Sequence, residues 1–201
     1  DPMSATAIAA TLFAPEDLRV IERELGPLAQ GMVRIKFGAG GICGSDMHYF
    51  RHARTGDFVV TSPLILGHEV AGEIVEIAGD APGLAVGDHV AVNPSRWCGN
   101  CKRCREGMYT ACHNYGLNYG DVDKGHRANG FTTDGGFCEY QVNNINTLVA
   151  IPDAMSDEEA TLVVTAGTAM YGLTELGGLV AGESVVVTGP GPIGLLGVAV
   201  A

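Results

Sequence analysis

Hydrophobic and polar residues alternate with a period of two in several segments of the first 150 residues. Residues 33–37 read V-R-I-K-F, residues 70–77 alternate in part before a Gly-Asp turn, and residues 88–92 form a short, mostly apolar run. A period of two is typical of strands with one buried face, and the glycines between these segments favour tight turns. Strand-like residues return over 136–149. The pattern predicts a mostly β unit with the form of a partly open barrel.

The period changes after Pro152. Ser156 and Glu159 have the spacing of a capping box, which marks the start of a helix. A helical pattern then runs over 157–176 and stops at two consecutive glycines. We therefore expect a long helix after the β unit.

A glycine-rich turn follows three valines at 185–187. A wholly apolar run is typical of a parallel strand buried on both faces, and the turn G-P-G-P-I-G opens an apolar helix. Strand, glycine turn and helix in this order favour dinucleotide binding, because glycines let the backbone approach a pyrophosphate at a helix N-terminus. The residue that selects NAD or NADP belongs about 20 positions later, so both cofactors stay open. The cofactor-binding residues expected in the turn are Gly189, Gly191, Pro192, Ile193 and Gly194.

These patterns divide the chain into two parts. Residues 1–154 are expected to form the β-rich domain. Residues 155–201 are expected to form a linker helix and the start of an α/β Rossmann domain. We expect the chain to be an N-terminal fragment, cut at Ala201 within a helix of that second domain.

The composition excludes several classes of function. The chain has 201 residues, of which 46% are hydrophobic and 17% charged, as in a folded globular protein. Its net charge of −11 opposes binding to nucleic acids or anionic membranes, since both require a basic surface. There is no run of about 18 apolar residues and no basic leader segment. We expect a cytoplasmic protein.

Four of the six cysteines lie within fifteen residues. Their pattern, C-x-x-C-x-x-C-x7-C, supplies four thiolates, which is a complete tetrahedral shell for a structural zinc ion. The structural alternatives are four free or disulfide-linked thiols, and iron–sulfur ligation is a further possibility. We expect a zinc lobe over about 95–115. Its ligands would be Cys98, Cys101, Cys104 and Cys112.

A second set of metal-binding residue types is spread over two motifs. C-G-S-D-x-H begins at Cys43, and G-H-E ends at Glu69, each at a predicted strand boundary. A catalytic zinc takes three protein ligands and keeps one position open, and Cys43, His68 and Glu69 are suitable types. Each motif is weak when it is taken alone, because a single histidine before a strand is commonly a core or surface residue.

Taken together, the motifs resemble the zinc-containing medium-chain alcohol and polyol dehydrogenases. The order C-G-S-D-x-H, G-H-E-x-x-G, C-G-x-C-x-x-C-x7-C and G-x-G-P-x-G matches this family over nearly the whole chain. Over residues 30–112 the resemblance is strongest to L-idonate 5-dehydrogenase and sorbitol dehydrogenase. It implies a GroES-like catalytic domain followed by a Rossmann domain, and two zinc ions per chain. It also implies NAD or NADP, an alcohol or polyol substrate, and a homodimer or homotetramer of the full-length protein.

The resemblance also implies roles for individual residues. Cys43 and His68 would bind the catalytic zinc, and Glu69 would be a ligand or a close neighbour of it. Three further residues would serve catalysis: Ser45 takes the proton of the substrate alcohol, Asp46 orients the zinc-bound histidine, and His48 passes the proton to solvent. For His48 the alternative is an exposed histidine at the start of a helix.

One position departs from the family pattern. Many relatives place a further cysteine, aspartate or glutamate ligand in the helix before the cofactor domain, and Thr165 occupies that position here. Threonine is a poor zinc ligand, and Glu159 lies too far away along the helix to replace it. Either Glu69 completes the ligand set with water, which we prefer, or the metal is held weakly and activity is low or absent.

Three hypotheses follow for the function. The first is a zinc-dependent oxidoreductase that transfers a hydride from a secondary alcohol of a polyol or sugar acid, such as sorbitol or L-idonate, to NAD(P). Threonine and simple alcohols are the alternative substrates. The second is a zinc-stapled binding module with one zinc and no cofactor, and the third is a degenerate family member without catalysis. We adopt the first, and expect the 201-residue chain itself to bind zinc with weak or no catalysis.

Overall fold

Antiparallel sheets make up most of the first part of the chain. The computed structural model describes residues 6–55, 58–113 and 128–201. The strands in the described residues are β1 (Thr6–Ala14), β2 (Asp17–Glu24), β3 (Met32–Gly41), β4 (Arg54–Thr55), β5 (Phe58–Val59), β6 (Leu64–Ile65), β7 (Glu69–Ala78), β8 (His89–Val92), β9 (Tyr140–Asn144) and β10 (Leu148–Ala150). They form sheets in the orders β2-β1-β6, β10-β8-β7-β3-β9 and β4-β5. Within these ranges no sheet closes on itself, in agreement with the mostly β, partly open architecture expected from the sequence.

Helices connect the sheets and dominate the last 45 residues. They are α1 (Gly44–His52), α2 (Lys102–Arg105), α3 (Asp157–Ala160), α4 (Val163–Met170), a π-helical segment (Tyr171–Leu176) and α5 (Pro192–Val200). Short 3₁₀ turns span Tyr109–Ala111 and Ile145–Thr147. No helix in the described residues is long and apolar enough to cross a membrane.

The predicted strands over 33–37 and 70–77 lie side by side as β3 and β7, and their inward side chains form the main core. Val33, Ile35 and Ile74 are fully buried there. The alternation is imperfect, because the register shifts between Phe37 and Ala39 and leaves Phe37 exposed. Arg34 is 3% exposed, and its guanidinium pairs with Glu76 at 2.9 Å, which compensates the burial of the charge.

A second core lies beneath α1. Leu12, Tyr49, Leu64 and Leu66 are buried there against Phe131 and other partly buried rings. The Tyr49 hydroxyl donates a hydrogen bond of 3.1 Å to the carbonyl oxygen of Phe131. These contacts fix the position of α1, which carries three of the predicted site residues: Ser45, Asp46 and His48.

The helix predicted over 157–176 begins at Asp157 with its capping box formed, but it is not one long helix: it is divided into α3, α4 and the π-helical segment, with a break at 161–162. Ser156 Oγ accepts the Glu159 N–H at 3.2 Å, and Glu159 Oε2 accepts the Ser156 N–H at 2.9 Å. The helical region ends at Leu176, and Gly178 takes a φ of +69°, as the glycine stop predicted.

The strand predicted over 185–187 is wrong. The structure assigns no strand in that segment, and Val186 is 88% exposed. A strand is defined by hydrogen bonds to a neighbour, and no described residue of this chain pairs with the three valines. Their apolar character therefore does not produce a strand in this structure.

Candidate metal and cofactor sites

The two motifs that contain Cys43 and His68 meet at one end of the β3–β7 ladder. Gly41, the last residue of β3, pairs with Glu69, the first residue of β7. Cys43, two residues after the end of β3, is the N-cap of α1, and His68 directly precedes β7. The structure thus brings Cys43, His68 and Glu69 together, with one ligand atom of each within 4.8 Å of the others.

This donor set fits a zinc ion. A thiolate, an imidazole and a carboxylate around tetrahedral zinc lie about 3.6 Å from one another, which is within the span seen here. Three protein ligands leave a fourth position for water or a substrate oxygen. The arrangement could therefore polarise an alcohol.

Asp46 organises the histidine side of this site. It is 3% exposed, and its Oδ1 lies 3.5 Å from His68 Nδ1. The opposite ring nitrogen of His68, Nε2, lies 3.3 Å from Ser45 Oγ. The two residues on α1 thus face the two nitrogens of one imidazole, with the carboxylate on the side that can fix the tautomer.

The local charges favour the ionised form of the thiol. Burial alone would raise the pKa of Cys43, but hydrogen bonds with Ser45 and the neighbouring His68 outweigh burial and lower it below its usual value. For His68 burial acts in the other direction and would lower the pKa. Asp46 and Cys43 together outweigh burial and raise the pKa of His68 above its usual value. A thiolate is the form that binds metals.

The side chain of Glu69 is held by Thr165, the residue that departs from the family pattern. Thr165 on α4 donates a hydrogen bond of 2.7 Å to Glu69 Oε1. The sequence places Thr165 near the metal but does not predict this contact, because the two residues are 96 positions apart.

Sequence reasoning also missed residues that pack around the site. The Phe131 ring lies 4.4 Å from the His68 ring, and Tyr49 holds the Phe131 carbonyl. Phe131 belongs to an irregular segment, so no periodicity marks it. Tyr49 does have a signal, since it follows the buried Asp46 by three residues on one helix face.

His48 lies on the exposed side of α1. Its ring centroid is 5.9 Å from that of His52. This position leaves the imidazole of His48 in contact with solvent.

The four clustered cysteines converge as their spacing predicts. Their sulfur atoms all lie within 4.8 Å of one another, with Cys98 and Cys104 at 3.9 Å and Cys101 and Cys112 at 4.0 Å. Thiolates around tetrahedral zinc lie about 3.8 Å apart, so this set could hold a metal ion. All six cysteines of the chain are free thiols in the structure. Trp97 stacks on Tyr109 at 4.8 Å beside the cluster and gives the lobe a small apolar contact.

The glycine turn has the close backbone packing that its motif requires. Gly189 takes a φ of +98°, which favours glycine, and Gly191 is the N-cap of α5 with Pro192 in the first turn. A Cβ atom on Gly194 would lie 2.0 Å from the Gly189 carbonyl oxygen. A cavity of about 630 Å³ lies next to this turn, between α4 and α5. The first turn of a helix leaves backbone N–H groups without partners inside the helix, and such groups can bind an anion.

Comparison with known proteins agrees with this geometry. Residues 29–153 match the model of the alcohol dehydrogenase GroES-like domain. The chain is 37% identical over 200 residues to L-threonine 3-dehydrogenase of Pyrococcus furiosus, covering 99% of this chain and 54% of that protein. It is 35% identical over 197 residues to sorbitol dehydrogenase of Bacillus subtilis, covering 96% of this chain and 52% of that protein.

One solved structure has a fold similar to that of this chain. An alcohol dehydrogenase of Escherichia coli CFT073, crystallised with NADH, superposes with a TM-score of 0.79 at 32% identity, covering 98% of this chain and 53% of that one. The chain spans about half the length of the curated relatives it matches.

Proposed function

The chain belongs to the family of alcohol dehydrogenases with a GroES-like domain. We therefore propose that it is part of a zinc-dependent oxidoreductase. The reaction is the transfer of a hydride from a secondary alcohol of a polyol or sugar acid to NAD(P). The observation that carries this proposal is the convergence of Cys43, His68 and Glu69, with Ser45 Oγ 3.3 Å from the imidazole of His68.

The three converging side chains would hold the catalytic zinc. Such an ion acts as a Lewis acid on the substrate oxygen and lowers the cost of forming an alkoxide. Asp46 would set the orientation and tautomer of His68, since its carboxylate faces Nδ1 at 3.5 Å and leaves Nε2, on the side of Ser45, for the metal.

Ser45 moves the proton. Its hydroxyl would accept the proton of the substrate alcohol as it gives up its own, and the exposed His48, one turn later on α1, would pass the released proton to solvent. The Phe131 ring lies against the ring of His68, Tyr49 packs on the edge of Phe131, and His68 is 6% exposed. In this scheme the proton leaves the alcohol oxygen and the hydride leaves the adjacent carbon, so the substrate loses two electrons.

The other predicted sites complete the enzyme. The four clustered cysteines would hold the second, structural zinc of the lobe over about 95–115. The turn over 189–194 would bind the pyrophosphate of NAD or NADP, whose nicotinamide accepts the hydride. We assign residues 1–154 to the catalytic domain and 155–201 to the linker helix and the start of the cofactor domain.

Polyols and sugar acids are the proposed substrates, and threonine is the alternative. The resemblance over residues 30–112 and the sorbitol dehydrogenase relative support the former, while the L-threonine 3-dehydrogenase relative supports the latter. We propose a homodimer or homotetramer for the full-length protein.

Metal analysis tests the core of the proposal. The zinc-loaded chain should contain two zinc ions, and Cys43→Ser should contain one. Cys138→Ser is the matched control, because Cys138 belongs to neither metal-binding group, and it should keep two ions. A single zinc in the unmodified protein that is insensitive to Cys43→Ser would support the binding-module hypothesis and refute the catalytic site.

An activity assay tests the reaction class. NADH or NADPH formation by the complete gene product would be followed with sorbitol, L-idonate, threonine and a simple secondary alcohol. Ser45→Ala should lower kcat by at least about 100-fold, as expected when a general acid–base group is lost. Two bound zinc ions without turnover of any of the four substrates would favour the degenerate member.

A further inference from the structure

Thr165 uses its hydroxyl differently from the other threonines of its helical region. Thr168 Oγ1 donates to the Val164 carbonyl at 3.1 Å, and Thr174 Oγ1 donates to the Met170 carbonyl at 2.8 Å. Both bonds run to the residue four positions earlier, which is the default for a threonine in a helix. Thr165 instead donates across to Glu69 Oε1 on β7, at 2.7 Å.

The other oxygen of Glu69 is confined by the neighbouring strand. Gly41 lies directly opposite Glu69 in the β3–β7 ladder, and a Cβ atom at Gly41 would lie 2.5 Å from Glu69 Oε2. The carboxylate therefore occupies the space left by a missing side chain on one side and accepts a hydrogen bond on the other. A free glutamate side chain has several rotamers, and these two contacts reduce the number of rotamers open to Glu69.

We propose that Thr165 is a positioning residue that holds the Glu69 carboxylate in place as the third metal ligand beside Cys43 and His68. The inference rests on the proposed function, since it concerns the same metal site. It assigns to Thr165 an indirect role: where relatives place a ligand in this helix, this chain places a hydroxyl that fixes a ligand on the neighbouring strand.

The chemistry of the hydroxyl supports positioning rather than ligation. A neutral hydroxyl is a weak partner for zinc compared with thiolate, imidazole or carboxylate. It is a good donor to a carboxylate, and such charge-assisted bonds are short, as the 2.7 Å distance is. Hydrogen-bond partners of metal ligands typically change metal affinity by about 10- to 100-fold when they are removed.

Three variants of the 201-residue chain test the role. Thr165→Val keeps the shape and loses the donor, Thr165→Ser keeps the donor, and Thr168→Val removes a hydroxyl that serves only its own helix. The affinity of the second zinc equivalent is measured by competition with a chromophoric chelator. The visible spectrum of Co²⁺ added to protein whose cysteine cluster already holds zinc reports the ligand geometry.

We expect a loss of affinity for the second zinc in one variant, Thr165→Val. Thr165→Val should bind the second zinc about 10- to 100-fold more weakly and shift the Co²⁺ bands, whereas Thr165→Ser and Thr168→Val should match the parent. In a Glu69→Ala background, Thr165→Val should cause no further loss. The first zinc, in the cysteine cluster, reports that each variant is folded.

Two other results would overturn the inference, and they are distinguishable. If the parent binds two zinc ions and Thr165→Val changes neither affinity nor spectrum, the positioning role is refuted while the proposed function stands. If the parent binds only the cluster zinc, the proposed catalytic site is refuted and the role of Thr165 is refuted with it.

Discussion

Asp46 on α1 accepts the backbone N–H of Gly67, the residue before His68, at 3.2 Å through Oδ1. Its other oxygen, Oδ2, accepts the N–H of Cys43 at 2.9 Å. One buried carboxylate thus joins the two chain segments that carry the thiol and the imidazole of the candidate metal site. The site depends on this residue for its assembly as well as for the tautomer of His68.

Asp46→Asn should therefore weaken the fold and the metal site together. An amide offers one acceptor oxygen for two N–H donors, so one buried donor loses its partner at a cost of about 1–3 kcal/mol. Urea unfolding would measure the loss, and zinc analysis should show lower occupancy of the Cys43 site with the cysteine cluster unchanged. Asp17→Asn, in an exposed pair with Arg19, should change neither measurement. Equal effects of the two substitutions would contradict the assignment.

Tyr49→Phe should loosen the packing behind His68. Burial raises the pKa of Tyr49 to about 12, so its hydroxyl stays protonated and donates to Phe131 at all ordinary pH values. Loss of the hydroxyl leaves a buried carbonyl without this donor and should lower the free energy of unfolding by about 1 kcal/mol. Tyr109→Phe, at a position that is 46% exposed, is the control and should have little effect in the same denaturation experiment.

Chelation should release a defined number of thiols. The zinc-loaded chain protects the four clustered cysteines and Cys43, so removal of both metals should make five thiols available to an aromatic disulfide reagent. Cys138 is the internal control: burial raises its pKa to about 12, and it should react slowly with or without metal. The cysteine lobe should also become sensitive to proteases. Release of only four thiols would indicate that Cys43 holds no metal.

Gly194→Ala should disrupt the cofactor turn. The added methyl group would lie 2.0 Å from the Gly189 carbonyl oxygen, so the turn must open and move the helix N-terminus. We expect binding of NADH, measured by fluorescence, to weaken at least about tenfold in the complete gene product, which is about 1.4 kcal/mol. The control is Gly167→Ala, in the middle of α4 and outside the cavity beside the turn, where no other part of the chain lies within 4 Å of the new methyl. It should leave binding unchanged and stabilise the helix by about 0.5–1 kcal/mol.

His89 should make the stability depend on pH. Its Nδ1 lies 2.8 Å from Asp157 Oδ1, and this carboxylate, with a smaller effect from Glu73, raises the pKa of His89 above its usual value. A raised pKa in the folded state gives stability that is complete below the unfolded value near 6.5 and is lost as the pH rises through the folded value. The side chain is 52% exposed, so the effect should not exceed about 0.5 kcal/mol.

His89→Gln tests this by urea unfolding at two pH values. The substitution should destabilise the chain at about pH 5.5 and have no effect at about pH 8.5. In an Asp157→Asn background, the substitution should have no effect at either pH. A difference that grows with rising pH would show that the sign is wrong.

Local features of this protein follow directly from the order of its residues. The alternating patterns of β3 and β7, the capping box of Ser156 and Glu159, and the turn over 189–194 are all set by residues within a few positions of one another. The four cysteines belong to this group as well, because their short spacings let one loop wrap all four sulfur atoms around a single ion. Backbone geometry converts such short spacings into structure with little help from the rest of the molecule.

Contacts between distant segments required the tertiary structure. Residue order indicated that Cys43, His68 and Glu69 are suitable ligands, but only the β3–β7 register brings their ligand atoms within 4.8 Å. The same holds for the bond from Thr165 to Glu69, across 96 residues, and for Phe131 against His68. The valines at 185–187 show the converse: their pattern favours a strand, and the structure forms none because no described segment pairs with them. Local periodicity sets what a segment can become, and its long-range partners decide which of those states is formed.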